Sequence, residues 1–292
     1  MTWNWTRRER SLLIESCASF FLLAFIAAPA FSQQIAGNQY FPPVGELLGQ
    51  TPETLPSLSS DFRDSLNDEP SFNSNIRALQ RANARNKKAA IRRLGYKGNI
   101  RAVPYLGAIL LKANEDTDLR AAAALALGSI GDWRAMTYLK QSVFDVQKEV
   151  RFAGSLALGK IGTLDAVSQL EGASMRDTHW WIRFAGAVAL GETKSPSAVP
   201  ALAKALNQDV RWQVRQQAAR SLGQIGNPSA TNALGRALQD EDSTIRFAAA
   251  RALGDIGGLT ALEYLHQAYA KEKAALTRRM LASSIKKATG TN

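Results

Sequence analysis

From residue 119 onward the apolar positions recur at the spacing of an amphipathic helix, and short polar turns break the pattern at regular intervals. Val150–Gly162 (VRFAGSLALGKIG) shows the unit: a branched apolar residue, an arginine, about two turns of small residues, then Leu-Gly-x-Ile-Gly. Val150, Ala153, Ala157 and Leu158 fall on one helical face and form a stripe to be buried. The unit returns as LRAAAALALGSIG from Leu119, VRQQAARSLGQIG from Val214 and IRFAAARALGDIG from Ile245, with a looser copy, IRFAGAVALGETK, from Ile182.

The first glycine of each Leu-Gly step stands at Gly95, Gly128, Gly159, Gly191, Gly223 and Gly254, so the period is 31 to 33 residues. A second landmark, Ala-x-x-x-Leu, keeps the same phase at Ala102/Leu106, Ala135/Leu139, Ala166/Leu170, Ala198/Leu202, Ala230/Leu234 and Ala261/Leu265. Two landmarks in one phase over six copies define an internal repeat. Each unit reads as two antiparallel helices. The shorter first helix has Pro104 or Pro200 in its first turn, where a missing N–H costs little. A polar turn follows, with Asp177, Asp209 or Asp240 expected to cap the second helix. The second helix ends on a glycine (Gly131, Gly162, Gly226 or Gly257) suited to a left-handed C-cap, and its first glycine is expected to let neighbouring backbones approach. The fourth copy has Thr193-Lys194 there, so its exit turn should differ. Degenerate copies open the array, with Lys87 at the arginine position, and close it, with Arg278 in register. Sealing an open core at both ends is what atypical terminal repeats do. The expected fold is all-α: a right-handed α-solenoid of about seven helix pairs over residues 72–288.

The pattern V-R-x-A-A-x-x-L-G-x-I-G, standing here as Val214–Gly226, together with the A-V-P-x-L of Ala198–Leu202, resembles the short HEAT-like repeat of the phycobilisome (bilin) lyase family. The resemblance covers about three quarters of the chain and specifies the repeat type far better than an activity. It implies bilin lyases, phycobilisome assembly or degradation factors, an iron-dependent hydroxylase family, or plain binding scaffolds. The hydroxylases' metal sites imply His-Glu pairs, whereas His179 is followed by Trp180 and His266 by Gln267.

Composition narrows the rest. Residues 1–32 read as a secretory signal: Arg7, Arg8 and Arg10 precede the apolar run Cys17–Ala28, with cleavage expected after Ala30 or Ser32. The run is short for a membrane span, which takes about 20 residues, and an uncleaved anchor is the alternative. Residues 33–71, with Pro42, Pro43, Pro52, Pro56 and Pro70 among polar residues, read as a disordered linker with one short helix near 44–48. An exported protein follows, in a periplasm, a thylakoid lumen or the extracellular space. Cys17 is the sole cysteine, so no internal disulfide forms.

The net charge is +11. From Pro70 to Asn114 there are ten basic residues and no acidic one, which makes the first repeat a basic cap including Arg81, Arg85, Lys88, Arg92 and Arg93. Its expected partners are an acidic protein or an anionic membrane surface; nucleic acid would fit the charge, but export argues against it. The arginine in every unit (Arg120, Arg151, Arg183, Arg215, Arg246) follows Asn114, Asp145, Asp177, Asp209 or Asp240 by six residues, and is expected to build a polar ladder along the turns. Recurrence in every copy makes it scaffold.

The positions two and six residues after the branched residue lie four apart on the opposite face, and they vary from copy to copy. In the middle copies they read Leu125, Phe152/Leu156 and Phe184/Val188; towards the C-terminus they read Arg220 and Phe247/Arg251. Trp180 and Trp212, two residues before the branched position, are expected to stack at one rim. This concave strip is the expected binding surface for a protein. A bilin, planar and carboxylated, would suit the same aromatic walls and arginines. No catalytic order, phosphate loop or metal-ligand spacing stands out, so no cofactor and no catalytic residue is expected; were the chain an enzyme, it would be a bilin lyase of the resembling kind.

Overall fold

In the computed structural model, residues 69–81 and 83–290 are described. The signal segment, the alternative anchor, nearly all of the linker with its helix near 44–48, and the side chain of Arg81 lie outside the described residues.

Fourteen α-helices form seven antiparallel pairs, and no strand occurs among the described residues. The pairs are α1 (Glu69–Arg81) with α2 (Ala84–Lys97), α3 (Val103–Leu111) with α4 (Thr117–Ile130), α5 (Met136–Ser142) with α6 (Lys148–Ile161), and α7 (Leu164–Gly172) with α8 (Trp180–Glu192). There follow α9 (Val199–Gln208) with α10 (Trp212–Ile225), α11 (Thr231–Ala237) with α12 (Ser243–Ile256), and α13 (Leu259–Lys271) with α14 (Ala275–Thr289). The first helix starts at Glu69, inside the last residues of the expected linker, because Phe72, Ile76 and Leu79 are buried in the shared core, with the Phe72 ring edge-on to Tyr105 of the next pair.

One continuous core runs through the stack, and the branched residue, the leucine and the Ala-x-x-x-Leu landmarks all enter it: Val150, Leu158, Ala166 and Leu170 are fully buried. The second helices stack on one another through small residues. Gly128 of α4 lies so near Ala157 of α6 that a Cβ on it would stand 2.6 Å from the Ala157 Cα; Gly159 meets Ala189 in the same way, and Gly254 meets Ser284. The first helices stay apart by the width of a ring. Gly107 of α3 faces Tyr138 of α5, and Gly235 of α11 faces Tyr264 of α13. Backbone-close packing on one side and ring-wide packing on the other put the second helices on the shorter, inner side of the stack.

The helix ends sharpen the sequence reading in two places. Gly131, Gly162 and Gly226 close their helices in the left-handed conformation, and Gly257 has a positive φ of 70° but an extended ψ. In the fourth pair Lys194 takes that role with φ 51°, while Thr193 turns its hydroxyl onto the Leu190 carbonyl at 2.7 Å. Asp177, Asp209 and Asp240 are not the N-caps of α8, α10 and α12; those caps are His179, Arg211 and Asp242. Each carboxylate instead accepts the backbone amide two residues on, at 2.8 to 2.9 Å, bending the turn before the helix starts.

Candidate functional site

The arginine ladder decides which charges are consumed. Each arginine reaches across to the acidic residue of the next repeat rather than to the one six residues before it. Arg151 binds Asp177 (2.6 and 3.4 Å), Arg183 binds Asp209 (2.6 and 2.9 Å), Arg215 binds Asp240 (3.0 and 3.2 Å) and Arg246 binds Glu272 (2.7 and 2.9 Å). Arg120 pairs with Asp145 likewise, and Lys87 opens the row by reaching Glu115. From Arg151 onward the residue six before contributes its carbonyl instead, as where Arg183 donates to the Asp177 oxygen at 2.9 Å and Arg246 to that of Asp240 at 2.9 Å; Arg120 donates to the Leu110 carbonyl at 2.9 Å. One guanidinium thus ties two repeats and one turn together.

These bonds set the acidity of the carboxylates. Burial works against ionisation of Asp177 and Asp209, but hydrogen bonds from Arg151 and Arg183 and from the His179 and Arg211 amides outweigh it, so both sit below the ordinary carboxylate range. At Glu272 the hydrogen bond from Arg246 dominates, burial opposes it, and the Ala274 amide adds to it; the pKa falls from an ordinary 4.5 to about 2. Arg278 donates to the Glu272 carbonyl at 3.1 Å and lies over the Tyr269 ring at 4.4 Å. Two open hollows, of about 400 and 360 Å³, lie beside the ladder, at Arg246 and Glu272 and at Arg120 and Asp145. Their main charges are already spent on each other.

The residues of the strip expected on the second helices differ in exposure. Leu125, Phe152, Leu156, Phe184, Val188 and Phe247 are half-buried, and Arg92, Arg220 and Arg251 are exposed. The aromatic contact that forms is between Phe152 and Trp181, centroids 5.3 Å apart and tilted 50°, with the His179 ring edge-on to Trp181 at 5.9 Å. No Trp180–Trp212 stack occurs among the described residues: Trp180 packs half-buried against the core, and Trp212 is 45% exposed. Trp181 is the residue that sequence reasoning missed. Its signal was available, since the position two after the branched residue meets the position just before it in the next repeat. Lys88 uses the same relation, binding Asp118 at 2.8 Å. In the basic cap Arg85, Arg92 and Arg93 are exposed.

Among the described residues no group of three His, Cys, Asp or Glu side chains is placed to hold a metal ion, and no helix is long and apolar enough to cross a membrane.

Helix pairs stacked through a shared arginine ladder define an α-solenoid. The sequence pattern of HEAT repeats matches residues 74–153, 144–216 and 202–286, most of the chain, and the chain belongs to the HEAT repeat family. No curated protein matches it. Among solved structures, an engineered protein is similar over 76% of this chain and 71% of its own, at 19% identity and TM-score 0.50. The complex of CpcE and CpcF of phycocyanin lyase from Nostoc sp. is similar over 89% of this chain and 100% of its own (20% identity, TM-score 0.45). Human deoxyhypusine hydroxylase is similar over 82% and 94% (23% identity, TM-score 0.39). At these identities the likeness is one of fold.

Proposed function

We propose that this chain is an exported, non-catalytic scaffold that holds a protein partner on the inner strip, with the basic first repeat engaging acidic groups of that partner. One observation carries the reading. The residues that repeat in every copy are spent on stacking, while the inner positions change from repeat to repeat and leave Arg92, Arg220 and Arg251 exposed around a half-buried apolar middle. Varied side chains on a constant frame are what a recognition surface requires, and exposed apolar area flanked by arginine fits the composition of binding hot spots.

The test is a crosslinking pull-down in the native compartment, comparing wild type with two variants. Phe152→Ser/Phe184→Ser/Phe247→Ser removes the apolar middle; because these rings are half-buried, it also costs some stability. Arg220→Glu/Arg251→Glu reverses exposed charges and leaves the core intact. Loss of the same partner in both variants supports the strip, and an unchanged partner set in both rejects it. Export is tested separately by N-terminal sequencing of the mature protein: a start at Phe31 or Gln33 supports cleavage, and an intact Met1 supports the anchor.

A second reading uses the same strip for a bilin. The Phe152–Trp181 pair supplies an aromatic wall and the exposed arginines would meet propionate groups. Absence of any absorbance shift on adding a bilin to the purified protein rejects it.

A further inference from the structure

Where one repeat passes to the next, one register position holds Ile100, Trp133, Leu164, Pro196, Pro228 and Leu259. Each of these residues begins either the single 3-10 turn ahead of the first helix or that helix itself. The core does not claim the large ones: Trp133 is 70% exposed, Leu164 73% and Leu259 82%, and Tyr96, in the closing turn of α2 on the same edge, is 93% exposed. The turn that carries Trp133 is braced. Asp132 accepts the Arg134 amide at 2.9 Å and two guanidinium bonds from Arg134 at 2.7 Å, and Gly131 closes the preceding helix just before it. A tryptophan displayed on a fixed turn is presented, not merely left over.

Charge singles out one end of this edge. Arg92 and Arg93, near the end of α2, are exposed, and neither pairs with a carboxylate among the described residues. Of the acidic residues beside these turns, Asp132 is held by Arg134 and Asp255 at the far end by Lys287 at 2.6 Å, whereas Asp165, next to Leu164, is exposed and meets only the Gln169 amide at 3.5 Å. The large apolar side chains and the unneutralised arginines therefore coincide over the first three repeats. Further along, the edge presents two prolines and then Leu259.

We propose that this edge, over the first three repeats, docks the protein onto an anionic lipid bilayer, with Tyr96, Trp133 and Leu164 entering the interface and Arg92 and Arg93 lying among the headgroups. Tyrosine and tryptophan favour the headgroup level because their rings are apolar with a polar tip. The apolar residues come one per repeat, about 10 Å apart. A fluid lipid surface fills the gaps between such points, whereas a folded partner would have to match them. A nucleic acid would gain from the arginines but nothing from Leu164.

The test is co-sedimentation of the full chain with phosphatidylcholine vesicles, with and without a third of phosphatidylglycerol. The apolar N-terminal run contributes to both, so the readout is the preference for the anionic vesicles. Arg92→Gln/Arg93→Gln should weaken that preference roughly thirtyfold, at roughly fivefold per basic residue. Tyr96→Ser/Trp133→Ser/Leu164→Ser should weaken binding about tenfold or more, while Leu259→Ser at the other end leaves it unchanged. All these side chains are exposed, and circular dichroism verifies that each variant folds. Binding to the anionic vesicles unmoved by the triple variant overturns the proposal, as does a preference unmoved by Arg92→Gln/Arg93→Gln or an equal loss from Leu259→Ser. Binding to a DNA oligonucleotide without vesicle binding overturns it in favour of a nucleic acid. Arg92 belongs to both surfaces, so the two are told apart by their other side chains: neither the phenylalanine variant nor Arg220→Glu/Arg251→Glu should alter vesicle binding, and Tyr96→Ser/Trp133→Ser/Leu164→Ser should not alter capture of the strip's partner.

Discussion

Replacing Gly128 by alanine tests the account of why the second helices form the inner side. The new Cβ would stand 2.6 Å from the Ala157 Cα, 2.8 Å from its Cβ and 3.2 Å from its carbonyl oxygen. Carbon atoms in contact settle at about 3.5 to 4.0 Å, so α4 and α6 must part by about 1 Å. The nearest atom is backbone, so no rotamer change relieves it. Overpacking of this kind costs about 1–3 kcal/mol, and alanine returns up to about 1 kcal/mol of helix propensity. The net expectation is a loss of about 1–2 kcal/mol in urea unfolding. At Gly172, the last residue of α7, a Cβ would meet nothing within 4 Å and φ is not positive, so the same substitution there should be neutral or stabilising by up to about 1 kcal/mol. Ala157→Gly should rescue Gly128→Ala only in part, because the Cα stays. Gly191→Ala, which meets the Ser221 hydroxyl at 2.5 Å, should be rescued further by Ser221→Gly. Equal stability of Gly128→Ala and wild type would refute the close-packed stack.

Three other predictions follow from the ladder and the turns. Arg183→Met leaves the Asp209 carboxylate half-buried and short of its partner, and should cost about 2–3 kcal/mol, whereas Arg278→Met, in α14, should cost under about 1 kcal/mol; similar losses at both sites in chemical unfolding would refute the inter-repeat role. Glu272 has a folded-state pKa lowered to about 2 from 4.5, so its contribution to stability is present above pH 4.5 and is lost as pH falls towards 2. Asp177 and Asp209 are lowered in the same sense, and stability should fall on acidification; Glu272→Gln should be less stable at pH 7 and show a shallower fall, and an unchanged slope would contradict this assignment. Lys194→Gly should stabilise by about 1 kcal/mol, since lysine there holds φ 51° that glycine takes without strain, and thermal unfolding reads the sign.

The parts of this molecule that were legible in the sequence are those that periodicity controls. The phase of Gly95 to Gly254 located the helices, the core stripe and the close approach of the second helices, because a residue that must fit between two backbones has to be small in every copy. Pairing across the period was not legible, for a simple reason. In a chain that repeats every 31 to 33 residues, an arginine six residues after one acidic residue is also about 26 residues before the next, so both partners carry the same sequence signal. Geometry breaks the tie: the side chain of Arg183 projects towards the following repeat, while its own turn can offer it only the Asp177 carbonyl. The aromatic strip was hidden for a related reason. Whether Phe152 lies open or lies against Trp181 depends on the distance between α6 and α8, and the Gly159–Ala189 contact makes that distance short enough for the rings to meet. The small residues that make the stack therefore also shape the surface, half-closing the phenylalanines in the middle and leaving Arg220 and Arg251 outside. The proposed recognition by this strip should thus be more sensitive to the exposed arginines than the sequence pattern of phenylalanines implies, and widening the stack at Gly159 should open the Phe152 ring before it unfolds the array.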